Sequence, residues 1–108
     1  MINEQKLDEV LLELGFDDYC RGTAQLRTAV KNYDPGVMMG LLYGLVAKYH
    51  GTTASRTERA IRHVIEKAFM NTPLEVLHKH FGNAINPRSG KMTNSQVVAR
   101  LARICREN

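Results

Sequence analysis

Tryptophan is absent from this chain of 108 residues, and all aromatic residues together make up 6% of it. Aliphatic side chains and methionine must therefore fill any core. Cysteine is nearly as scarce. Cys20 and Cys105 stand far apart in no metal or redox spacing, so both read as reduced thiols and no disulfide is expected. The longest mostly apolar stretch, 37–47, is about half of the ~20 residues that span a bilayer. The opening MINEQKLDEV is polar and acidic, unlike a signal peptide, and a cytoplasmic protein is expected. A Gly-rich phosphate loop, a pair of catalytic carboxylates and a nucleophile elbow are all missing. No enzyme activity and no cofactor are expected. His78-Lys79-His80 suggests a metal at first sight, but residues two apart on a helix point to different faces, and no metal site is expected there.

What remains is a soluble composition, 44% hydrophobic and 24% charged, in a length that suits one domain and one core. The formal charge of +4 is unevenly spread. Residues 1–35 carry four Lys/Arg against seven Asp/Glu, a net of −3, and residues 36–108 carry eleven against four, a net of +7. The basic excess marks the last two thirds as the place for a polyanion, unless the acidic helix simply packs beside the basic ones.

No stretch alternates apolar and polar residues as a strand would, whereas helical spacing recurs along the chain. Leu7, Val10, Leu11 and Leu14 form one apolar stripe that Gly15 closes. A second helix is predicted at about 23–33, burying Leu26, Ala29, Val30 and Tyr33. A third, about 37–50, is expected to bury Met38, Leu41, Leu42, Leu45, Val46 and Tyr49 and to end at Gly51. Its Gly40 and Gly44 lie on one side, which predicts a close helix crossing there. The fourth is predicted at about 54–70. The fifth starts with Pro73 as its first helical residue and buries Leu74, Leu77, His78 or Phe81, and the last follows Thr93-Asn94-Ser95. The fold class is therefore all-α: a single compact domain, 1–108, of about six helices.

The third and fourth helices, LVAKYHGTTASRTERAIRH, are separated by a turn of three or four residues, with the small Ala47 where the two must approach. This is the pattern of a helix-turn-helix, about 37–70, whose second helix enters the DNA major groove. Winding that helix at about 100° per residue puts Ala60, Ile61, Val64 and Ala68 toward the core. Ser55, Arg56, Arg59, Arg62, His63 and Glu66 fall on the other side. Arg56 suits guanine and Glu58 the cytosine amino group. Arg59, Arg62 and His63 suit phosphates. The same residues also have ordinary readings. Ser55-x-x-Glu58 is a capping box pattern, and Arg59 or Arg62 could pair with Glu66 as surface neighbours. Arg100, Arg103 and Arg106 form a basic stripe on the last helix that reads as a solvated face.

TTASRTERAIRHVIE resembles the recognition helix of the stage-zero sporulation response regulator family, transcription factors that commit endospore-forming bacteria to sporulate. Lys91-x-Thr93-Asn94-Ser95 matches as well, and helix order and spacing agree over about residues 5–106. The similarity is to the family's C-terminal effector domain, an all-helical DNA-binding fold. It implies that Arg56 and Glu58 contact bases and that Ser55, Arg59, Arg62 and His63 sit on or beside the DNA backbone. Thr53, Lys91 and Arg103 are candidates for additional DNA or dimer contacts. The resemblance further implies double-stranded boxes resembling TGNCGAA, occupied as head-to-tail homodimers, with contacts to RNA polymerase, and so a nucleoid-associated protein. Full-length members carry a receiver domain, for which 108 residues leave no room. Thr57 stands where the family has an aliphatic residue, and Gly51 where a polar one is common. The competing function is a helical protein-interaction adaptor whose basic face binds an acidic partner.

Overall fold

Hydroxyls, amides and glycines set the ends of the helices. The computed structural model describes residues 1–86 and 88–107. The side chain of Asn3 accepts from the Lys6 amide at 3.1 Å and opens α1 (Glu4–Glu13). Gly15, at φ +78°, ends that helix. There the Phe16 amide donates to the Leu11 carbonyl and the Gly15 amide to that of Leu12, the paired bonds of a Schellman motif. Next come α2 (Arg21–Lys31), α3 (Met39–His50), α4 (Ala54–Asn71) and α5 (Leu74–Phe81). A short 3₁₀ turn, Gly82–Ala84, precedes α6 (Asn94–Ile104). Pro73 is the N-cap of α5, one position before its expected place. Thr93 and Gln96 form a reciprocal capping box at the start of α6. Among the described residues the one extended pairing is a bridge between Ile2 and Arg106.

The core joins Leu7 and Leu11 of α1 and its C-cap Leu14 with Leu26 of α2, Ile61 of α4 and Leu101 of α6, each at most 1% exposed. The longest helix, α4, packs chiefly on α2 and α3. Its end is fastened to that of α1 by Thr72 Oγ1, which donates to the Leu14 carbonyl at 2.6 Å. Gly22 on α2 faces the backbone of α4, where a Cβ would collide with the Ala60 carbonyl and with Val64 Cγ1. The tight helix crossing is therefore here. At Gly40 and Gly44 an added Cβ would meet nothing within 4 Å, so the crossing expected from those two glycines is wrong.

The reading of α3 needs a second correction. Leu42, Val46 and Ala47 are buried, as the turn pattern requires. Met38, Leu41, Leu45 and Tyr49, expected inside, are instead exposed. The helix is covered on its inner side by α2 and α4, and a sequence apolar on every side does not announce which side is covered. On α5, Leu77 and Phe81 are buried while Leu74 and His78 face solvent. Tyr33 and Ile104 are only partly buried.

Candidate nucleic-acid interface

The turn between α3 and α4 follows from two local choices. Gly51 takes the left-handed conformation, φ +70°, so that the chain reverses and the Thr52 amide donates back to the Ala47 carbonyl at 2.9 Å. Thr53 then caps α4, its hydroxyl accepting from the Arg56 amide at 3.2 Å. Ser55 is not the cap. The capping box that is the ordinary reading of Ser55 and Glu58 gives way to Thr53, which comes first in a chain already turned toward the helix. Thr53 and Ser55 are both exposed, and the Ser55 carbonyl accepts from Arg59 Nε at 3.4 Å.

The helix divides as its periodicity predicts. Thr57, Ile61, Val64, Ile65 and Ala68 are buried, Ala60 partly so. Arg56, Arg59, Arg62 and His63 are exposed. Arg62 does not turn to Glu66. Its Nη1 meets Glu58 Oε1 at 2.9 Å, one turn back, in the orientation that also suits the helix dipole. Glu58 lies at the edge of the exposed face, its side chain one-third exposed. Its backbone carbonyl accepts from Asn94 Nδ2 at 3.0 Å, so the first residue of α6 holds α4 at the turn where the Glu58 carboxylate projects. Tyr43 lies alongside, its phenol pushed up by burial and partly relieved by Asn94.

Two hollows flank the start of α4. One is lined by Gly40, Tyr43, Ser55, Glu58, Arg59 and Arg62. The other holds Arg56 together with Arg21, His50 and Thr52. Arg21 was missed in the sequence because 35 positions separate it from Arg56 and no local pattern links them. His50 is held by Thr28, whose hydroxyl donates to the Ala24 carbonyl at 3.2 Å and lies within hydrogen-bond distance of His50 Nε2, at 2.8 Å. Lys91 reaches the group from the other side, lining with Glu58, Arg62 and Asn94 a cleft of about 850 Å³. Arg103 is not brought in. It projects from the opposite end of α6, nine residues from Asn94 and so ~13 Å along the axis.

Five of the seven carboxylates in the acidic N-terminal third face cations that lie outside the first turns of α4. Asp8 and Asp18 both hold Arg27, at 2.8 and 2.9 Å, and Glu4 holds Lys31 at 3.2 Å. Asp17 lies 3.9 Å from Lys67. Glu13 pairs with Lys79 at 2.7 Å and lies 3.3 Å from His80. The Lys79 hydrogen bond holds the Glu13 carboxyl below its usual range, and the Tyr19 amide does the same for Asp17. Both Lys79 and His80 of the apparent metal motif thus face one carboxylate. Arg100 also leaves the expected solvated stripe, since its Nε donates to the His80 carbonyl at 3.0 Å. Among the described residues, neither Arg56 nor Arg59 nor His63 forms an ion pair.

Such a helix, capped after a left-handed glycine turn and basic on its outer side, fits the docking element of a helix-turn-helix. No helix of the described residues is long and apolar enough to cross a membrane. Residues 7–104, nearly the whole chain, match the sequence model of the family described as sporulation initiation factor Spo0A C terminal, and the chain belongs to this family of DNA-binding effector domains.

Proposed function

We propose that the chain is a sequence-specific, double-stranded DNA-binding transcription regulator that places α4 in the major groove. The observation that carries this reading is the division of charge. Five of the seven carboxylates of the N-terminal third face Arg27, Lys31, Lys67 or Lys79, none of which lies on the first turns of α4, while Arg56 and Arg59 project from those turns without an ion-pair partner among the described residues. Arg56 and Glu58 read base edges, with Arg62 steadying the Glu58 carboxylate. Ser55, Arg59, Arg62 and His63 lie along the phosphates, and Thr53 and Lys91 flank them. Head-to-tail occupancy of adjacent boxes and a contact with RNA polymerase belong to the same reading, carried by the family resemblance.

Titration of a TGNCGAA-type duplex against a scrambled duplex, across a salt series, tests it. Tighter binding to the first and a steep fall with salt are expected, because each neutralised phosphate releases condensed counterions. Absence of duplex binding at ~50 mM salt would leave the basic face to an acidic protein partner instead.

A further inference from the structure

We propose that the hollow beside Arg56 grips a phosphate of the DNA backbone through Arg21, Gln25 and His50, which rests on the reading of α4 as the groove helix. A helix seated in the major groove has a sugar-phosphate strand on each of its two flanks. Ser55, Arg59 and Arg62 line one flank, in company with the Glu58 carboxylate. The other flank is the hollow that Arg21, Gln25, His50, Thr52 and Arg56 share, and no acidic side chain lines it. Neither Arg21 nor Arg56 forms an ion pair among the described residues. Nor does the first turn of α2 or of α4 carry an acidic residue to offset the positive end of its helix dipole.

The helix crossing builds this site. A Cβ on Gly22 would collide with the Ala60 carbonyl, so α2 and α4 come closest there. Arg21 precedes that glycine and Arg56 stands one turn before Ala60, which brings two arginines to one hollow against their mutual repulsion. An anion between them offsets that repulsion. Gln25 is 6% exposed, and its Oε1 is buried without a hydrogen-bond partner among the described residues. A buried carboxamide left unmatched weakens a fold. Turned about its last torsion, it offers an N–H to the hollow instead. His50 Nε2 lies 2.8 Å from the Thr28 hydroxyl, which orients the ring and leaves Nδ1, a donor when it carries a proton, for the ligand. Two cations, an amide and an imidazole in a recess without carboxylates suit a phosphate oxygen, whatever base lies beside it. Arg56 keeps its task at the base edge, and its stem walls the hollow.

Titration of the full chain with matched and scrambled duplexes across a salt series reads the result. Arg21→Ala should weaken both duplexes alike, several-fold, and lower the log–log salt slope by about one unit, while Arg21→Lys should keep most of that slope. Gln25→Leu separates binding from packing. An apolar side chain suits the buried position, so the melting temperature should hold or rise while both duplexes bind several-fold more weakly. Inorganic phosphate, added without DNA, should shift the His50 ring resonances of the wild type and leave those of Arg21→Ala unmoved. An Arg21→Ala chain with the wild-type slope, a Gln25→Leu chain that loses stability and keeps its affinity, or a His50 ring that phosphate does not move overturns the proposal. Phosphate binding in the hollow with duplex affinity unchanged by Arg21→Ala assigns the site to a free phosphate compound and overturns the backbone contact. A wild type that binds no duplex is the failure of the groove reading itself, and takes this contact with it.

Discussion

Arginine does opposite work in two regions of this molecule. On the side formed by α1, α2 and α5, Arg27 is clasped by Asp8 and Asp18, and Lys31 and Lys79 each hold a carboxylate. On the first turns of α4, Arg56 and Arg59 extend from the helix with no such partner among the described residues, and Arg62 alone is tied, to Glu58. Formal charge does not separate the two regions; the position of the carboxylates does. A cation already matched within the fold has little left to offer a phosphate, whereas an unmatched one on a rigid helix is held ready for a polyanion. The carboxylates of the acidic first third are thus matched mostly within that third, by Arg27 and Lys31, which leaves Arg56 and Arg59 of α4 without a counter-charge among the described residues.

The comparison is broken most severely on α4. Arg56→Ala should cost ~1–3 kcal/mol on the preferred duplex and relax selectivity at one base pair. Competition between matched and singly altered duplexes measures both. Glu58→Gln should change the base preferred at one position with little change in melting temperature, because Thr53 rather than Glu58 caps the helix. A phosphate contact behaves differently. Arg59→Ala should weaken matched and scrambled duplexes alike and lower the log–log salt slope by about one unit. Thr57 offers a control inside the same helix. Its hydroxyl is fully buried and has no hydrogen-bond partner among the described residues. Thr57→Val should raise stability by about 1 kcal/mol without altering DNA binding, read by denaturant unfolding and the same titration.

The smallest effect belongs to the opposite side. Glu13→Gln should leave DNA affinity unchanged and lower the melting temperature slightly, as exposed pairs contribute little. Its sign with pH is fixed. Because the folded carboxyl lies below the ordinary 4.5, its stabilisation is present above that value and is lost as pH falls through the lowered one. The melting temperatures of wild type and variant should therefore converge in acid.

Much of this arrangement was legible in the sequence, for physical reasons that differ from element to element. The stripe Leu7, Val10, Leu11, Leu14 and the glycine behind it determine α1 locally, and the periodicity of α4 separates its buried from its exposed residues. α3 was legible as a helix but not in its orientation, since apolar residues on every side leave no contrast to read. The start of α4 offered Ser55-x-x-Glu58 as a capping box, and the preceding turn at Gly51 places Thr53 as the cap instead. Links between distant segments were invisible: Arg21 beside Arg56, Asn94 on the Glu58 carbonyl, Glu13 on Lys79. Each depends on which helices meet, which no local pattern encodes.

The short bridge that ties Ile2 to Arg106 has a consequence for tethering. The Asn3 amide donates to the Cys105 carbonyl at 2.7 Å and the Glu107 amide to that of Met1 at 2.8 Å, so Met1 and Glu107 lie side by side. That exit point lies at the end of α6 remote from Asn94 and its grip on α4. Anything grafted to either terminus, whether a fluorophore, a surface linker or a second protein, is anchored at one place. A probe moved from Met1 to Glu107 should therefore leave duplex affinity the same, since the two residues are hydrogen-bonded neighbours.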